Sequence, residues 1–352
     1  DGSYADGKRG SRKGGRLMVF LIQQTINYAV PLLIVALAGV FAERSGIINL
    51  ALEGIMVFGA FVGALFIRIM QSSGLFDKSQ GQWLLLLTML VCAIMGAIFS
   101  LLLSFSAINL KADQTIGGTA LNLLAPALVL FLINVIAQQN KLVIDGGATT
   151  WFMIKKSTFG IPKSQDIGFF GELLINKVYL STYVCILLFI VLSILLYTTK
   201  FGLRLRACGE NPQAAASLGI NVYKMRYAGT TISGALSGIG GFVYALAAAD
   251  GAATGEVAGF GFLALAVMIF GNWTPSNIAV SALLFGLFKC IAAAYSSIDL
   301  NGDGVYWLAE IGIPSHIYRL LPYLITLIVL AFTSKRSRVP KAEGIPYDKG
   351  AR

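Results

Sequence analysis

The sequence predicts an all-α polytopic membrane protein of about eight to ten membrane helices, in two inverted repeats with broken or re-entrant helices. Three observations carry this. Apolar runs of about 20 residues recur along the chain, the length that crosses a bilayer at about 1.5 Å per residue. Of the 352 residues, 56% are hydrophobic and only 12% charged, with a mean hydropathy of +0.75, against roughly 25% charged in a soluble domain. The formal net charge of +10 gathers before Leu17, in the loop 200–226 and after Thr333, as expected where basic loops set orientation. These basic residues are not set in a recognition motif, which disfavours nucleic acid as a partner.

The predicted organisation is a disordered basic cytoplasmic tail over 1–16, a membrane domain over 17–334 and a cytoplasmic tail over 335–352. Leu17 to Val40 is the first span, too long for the apolar stretch of a signal peptide, with Pro31 as a kink. Lys8, Arg9, Arg12, Lys13 and Arg16 precede it and place its start in the cytoplasm. Glu43 to Ile69 contains Glu43, Arg44, Asn49, Glu53 and several glycines. It reads as a broken element that makes no net crossing. Gln82 to Ser106 and Thr115 to Ala137 are further spans, with Lys111 between them on the inside. A long outer loop, 138–177, follows.

Val178 to Thr199 then descends to KFGLRLRACGENPQAAASLGINVYKMR, residues 200–226, the longest polar and basic interruption between the two apolar halves. Lys200, Arg204, Arg206, Lys224 and Arg226 mark it as cytoplasmic. Within it, Glu210, Asn211 and Pro212 start a short helix that Gly219 stops. Tyr227 to Ala249 rises from this loop. Phe260 to Gly271 is short and bounded by glycine, the NWTPSN turn (Asn272 to Asn277) follows, and Ile278 to Ser297 and Ile317 to Phe332 complete the membrane domain. Both termini are then cytoplasmic. Cys92, Cys185 and Cys290 fall in apolar runs and Cys208 in the 200–226 loop, so no disulfide framework is expected.

The halves echo each other: Ile48 to Gly59 (INLALEGIMVFG) and Phe262 to Gly271 (FLALAVMIFG) are both short Gly-rich elements after a long span. With the parity above, repeat two (about 178–334) is inverted relative to repeat one (about 17–137). Inverted repeats with interrupted helices place a translocation path near the midplane.

Three stretches, Glu43 to Phe61 (ERSGIINLALEGIMVFGAF), Gly202 to Ile220 (GLRLRACGENPQAAASLGI) and Gly344 to Arg352 (GIPYDKGAR), resemble bacterial ABC-importer permeases of the ribose, nucleoside and branched-chain amino acid superfamily. The nearest branch is the nucleoside-type permeases that work with a basic-membrane-protein-type lipoprotein; riboflavin and simple-sugar importers share the pattern. The resemblance runs from about Leu17 to the C-terminus. It implies location in the bacterial cytoplasmic membrane, a second related permease, an ATPase with two nucleotide-binding domains and an extracellular substrate-binding lipoprotein. It also implies that Glu210 to Ile220 is the helix that docks on the ATPase. The chain has no GxxxxGK[ST] motif, so ATP is expected on a partner subunit and no enzymatic activity in the chain itself.

Glu210, Asn211, Pro212, Ala215 and Gly219 are the candidate ATPase contacts, through a small alanine face and a glycine turn; a merely solvated loop is the alternative. Asn49 and Glu53, at i and i+4 on a half-helix, with Asn122 and Asn134, are the candidate pathway residues. Their alternative role is helix-to-helix hydrogen bonding, which the two later asparagines favour. Asp299, Asn301, Asp303, Val305 and Glu310 match the twelve-position calcium loop D-x-[DN]-x-[DN]-G-x₅-E on the outer side, although Trp307 replaces the usual polar ninth position. An acidic outer turn is the alternative. His316 is the only histidine, which with the absence of a zinc or nucleophile constellation argues against an active site. Trp83, Trp151, Trp273 and Trp307 are expected as interfacial anchors. The function these features point to is ATP-driven import of a nucleoside-like solute. An ion-coupled secondary transporter using Glu53 is the reading from another class.

Overall fold

The structure is a computed structural model that describes residues 2–144, 151–162, 167–294, 314, 317–318, 320–321, 323–325, 327 and 338–350. Among these, seven helices are long and apolar enough to cross a membrane, and the chain is an all-α multi-pass membrane protein.

α1 (Gly2–Arg44) carries the span Met18–Arg44. It extends back through residues expected as a disordered tail, a stretch without proline, the strongest helix breaker. α2 (Leu52–Ser72), α3 (Gly81–Ser104) and α4 (Gln114–Ala137) follow, α3 ending in a π-helical turn, Phe105–Asn109. There are two short antiparallel pairs, β1 (Leu142–Val143) with β4 (Ala252–Ala253) and β2 (Met153–Ile154) with β3 (Val178–Tyr179), and α5 (Gly168–Ile175) falls between β2 and β3 in the chain. α6 (Leu180–Thr198), α7 (Lys200–Glu210), α8 (Pro212–Ser217) and α9 (Val222–Ala247) lead to the short α10 (Phe260–Phe270) and to α11 (Pro275–Ala294).

α9 is the central post, packed against α1, α2 and α3. Its glycines permit this: a Cβ on Gly238 would collide with the carbonyl of Cys92 on α3, and one on Gly241 with the carbonyl of Met56 on α2. Close backbone approach through small residues is how helices associate where lipid supplies no hydrophobic drive. Polar side chains add to it, as where Ser104 and Thr230 hydroxyls meet at 2.6 Å between α3 and α9.

The bundle has two ends. At one, Arg44 meets Glu210 and Lys111 meets Asp348. At the other, Gln23 donates to the carbonyls of Glu172 and Asn176, and β1 pairs with β4. This corrects one expectation. Glu43 and Arg44 end α1, and Leu52–Ser72 is one unbroken helix of 21 residues, about 31 Å long, so the stretch 43–69 does cross. The start of the α1 span therefore lies at the end of the bundle opposite residues 338–350. Trp273, expected as an interfacial anchor, is instead 4% exposed, with its indole N–H on the Glu43 carboxylate.

Candidate functional site

Between α1 and α2 the backbone is unwound over residues 45–51, and this segment reaches into the bundle. Gly46 at φ +94° ends α1, a conformation that favours glycine. Asn49 is fully buried against Ser233, eleven residues or about 16 Å into α9. Unwound backbone at membrane depth must find its hydrogen bonds within the protein. Here side chains supply them: Ile48 N–H donates to Gln114 Oε1 (2.7 Å), Ala51 N–H to Asn49 Oδ1 (3.1 Å) and Gly54 N–H to Asn122 Oδ1 (2.8 Å), while Asn122 Nδ2 donates to the Leu50 carbonyl (2.7 Å).

Glu53, in the first turn of α2, does not share a face with Asn49. It reaches the start of α10, where Oε1 accepts from Gly259 N–H at 3.0 Å and Oε2 from Gly261 and Phe262 N–H at 2.5 and 3.3 Å. α2 and α10 both begin here, so one carboxylate lies at two positive helix ends and satisfies three donors that have no partner within their own helix. Lys289 of α11 lies beside it, its ammonium 3.2 Å from the Ala258 carbonyl and over the Phe260 ring. Asn134 stands apart on an exposed face of α4, its amide on the Leu130 carbonyl of its own helix.

At the Arg44 end, three helices in succession start on side-chain caps: Gly202 N–H on Thr199 Oγ1, Ala214 N–H on Asn211 Oδ1 and Lys224 N–H on Asn221 Oδ1. Pro212 occupies the first turn of α8, where its missing N–H costs nothing. Glu210 closes α7 rather than opening α8, and its carboxylate lies 3.4 Å from Arg44 Nη1. Ala215 is buried with Cys208, Val222 and Tyr347, so this one of the expected contacts packs inward, while its neighbour Ala214 is exposed. The outward surface is formed by Asn211, Gln213, Ala214, Ser217 and Leu218, the last 81% exposed, with Gly219 turning the chain at φ +79°. Leu218 was missed. Its signal is a lone large apolar residue directly before a helix-stopping glycine.

Residues 342–348 strap this end together. Ala342 N–H donates to the Gly209 carbonyl (2.9 Å) and Gly344 N–H to that of Gly46 (3.3 Å). Arg226 Nη1 donates to Ile345 O (2.9 Å) and Gln213 Nε2 to Asp348 O (2.8 Å). Tyr347 meets the Tyr223 ring edge-on, and Lys111 holds the Asp348 carboxyl below the usual carboxylate range. Burial pushes the Glu343 carboxyl up to about 7 against the pull of Arg44, and burial likewise raises the Cys208 thiol to about 11.

Asp299, Asn301, Asp303, Val305 and Glu310, the proposed calcium loop, lie outside the described residues, as does His316. Among the described residues, no group of three or more His, Cys, Asp or Glu could hold a metal.

Seven membrane-length helices among the described residues, helices that begin in the bundle interior and a polar helical hook at one end fit the class of transport permeases. The family of permease components of branched-chain amino acid transport systems matches residues 21–330, and the chain belongs to it. It is 39% identical over 329 residues to the nucleoside ABC transporter permease protein NupC of Lactococcus lactis, covering 94% of this chain and 96% of that one. It is 37% identical over 337 residues to the guanosine ABC transporter permease protein NupQ of Bacillus subtilis, covering 96% and 99%. A second nucleoside permease of Lactococcus lactis, NupB, is 22% identical over 325 residues, covering 92% and 83%. No solved structure is a significant match.

Proposed function

We propose that this chain is a permease subunit of an ATP-driven importer that carries nucleosides across the bacterial cytoplasmic membrane by alternating access. The observation that carries the reading is similarity over nearly the full length to two permeases named for nucleosides and guanosine. The α8 end faces the cytoplasm, where Lys111, Lys200, Arg204, Lys224 and Arg338 gather, and Leu218 with Gln213 and Ala214 meets a separate ATPase. Force on α8 passes through the Glu210–Arg44 contact and the 342–348 strap to the unwound segment 45–51. Asn49, Gln114 and Asn122 hold that segment, and Glu53 joins it to α10 beside the pathway. Asn134 faces outward, toward lipid or a partner.

That partner is a second, related permease: NupC and NupB are both nucleoside permeases of one organism, and both resemble this chain. A substrate-binding lipoprotein delivers solute at the opposite end. An ion-coupled carrier would need Glu53 to release and rebind a proton each cycle, whereas three backbone N–H groups hold its carboxylate.

The test is uptake of labelled guanosine, uridine and ribose by cells with the chain deleted and then restored. The reading expects nucleoside uptake to fall at least tenfold and return with the chain. Loss of ribose uptake alone would replace it with a sugar permease.

A further inference from the structure

α10 begins in the interior of the bundle, and the residues gathered around its first turn share a chemistry. Phe260 is 2% exposed, with the Tyr28 ring 6.3 Å away on α1 and the Tyr244 ring 4.7 Å away on α9. The Lys289 ammonium lies 4.8 Å from the Phe260 centroid and 5.5 Å from that of Tyr323, and Glu53 completes the group.

Three features distinguish this cluster from ordinary packing. Charged side chains at membrane depth are expensive and mark pathways, and Lys289 is the only charged residue of α11. Next, Tyr28 and Tyr244 make no hydrogen bond within the described structure, yet they are only partly buried. A phenol at this depth usually finds a partner, so two free hydroxyls beside one aromatic face are available to a ligand. Finally, Lys289 and Glu53 balance, which suits an uncharged solute. The cluster also lies toward the end opposite α8: Tyr244 is 22 residues, about 33 Å, from the start of α9.

We propose that Tyr28, Tyr244, Tyr323, Phe260, Lys289 and Glu53 form the receiving site for the solute, built for an uncharged molecule with a flat aromatic base and a hydroxylated ring. The base stacks on the partly exposed Tyr28, Tyr244 and Tyr323 rings that flank the buried Phe260, and such stacking tolerates any base because every base has a π-face. The Tyr28 and Tyr244 hydroxyls and the remaining Lys289 donors take the sugar hydroxyls and the base edge. Movement of α10 relative to α2 breaks the Glu53 contacts and opens the site toward α8. This assignment rests on the nucleoside-permease reading.

The test uses the complete transporter in cells, with Tyr28→Phe and Tyr244→Phe, each removing one oxygen and no packing volume. Initial uptake rates of guanosine, uridine and free ribose are measured at matched protein levels. Each variant is expected to raise KM for both nucleosides about three- to tenfold, with the maximal rate little changed. Phe260→Leu is expected to lower nucleoside uptake more than any residual ribose uptake. Unchanged KM in both tyrosine variants, with the parent transporting nucleosides, overturns the site alone. A parent that carries neither nucleoside overturns the nucleoside reading and this assignment with it.

Discussion

Glu53 accepts the backbone N–H of Gly261 at 2.5 Å, joining the first turn of α2 to the first turn of α10 across 208 positions of sequence. The same carboxylate also takes the N–H groups of Gly259 and Phe262. Glu53→Leu leaves these donors without an acceptor inside the bundle and is expected to cost about 3 kcal/mol or more. Glu53→Gln keeps one acceptor oxygen and should lose less. Unfolding midpoints of the two variants in detergent check the order, and equal midpoints would contradict it.

Asn122 satisfies one backbone group of the unwound segment and one of the first turn of α2, whereas Asn134 bonds only within its own helix. Asn122→Ala is expected to destabilise by about 2 kcal/mol and Asn134→Ala by under about 0.5 kcal/mol. Denaturant titration of both variants reads the difference.

Leu218 is 81% exposed at the tip of α8, and Ala215 is buried beneath it. Leu218→Asp should leave the permease as stable as the parent while reducing uptake at least tenfold, because it removes the apolar contact proposed for the ATPase. Ala215→Glu should lower stability as well as uptake, since it places a charge against Cys208 and Tyr347. Thermal unfolding alongside uptake separates the two.

Burial raises the Glu343 carboxyl to about 7, with Glu43 and Arg44 as its charged neighbours. A carboxyl whose folded value exceeds its unfolded one contributes stability that is complete below about pH 4.3 and is lost as pH rises through about 7. The strap is therefore expected to dock more tightly at pH 6 than at pH 8. Hydrogen exchange at the Ala342 and Gly344 amides should quicken over that interval beyond its intrinsic rise with pH, and Glu343→Gln should abolish the excess.

The spans were legible because each is an apolar run of membrane length, and α10 because glycines bound it. The α8 cap was also legible, since Asn211 followed by Pro212 is a local signal. What escaped the sequence was long-range. Nothing near Glu53 announces that its partners are the amides of α10, and nothing near Gln114 announces Ile48. Ala215 looked available for docking because a six-residue helix gives too little periodicity to tell its inner face from its outer one. The reading of 43–69 as a broken element had the same origin: nothing near Arg44 announces its contact with Glu210 at the end of α1.

The central claim is that a motor acting at the α8 end drives nucleosides through this bundle. Right-side-out vesicles from the native membrane, loaded with ATP and supplied with labelled guanosine and the delivery protein, test it most directly. Uptake that follows internal ATP and survives collapse of the ion gradients is the predicted result. Uptake that stops with the gradients and is indifferent to ATP would contradict it.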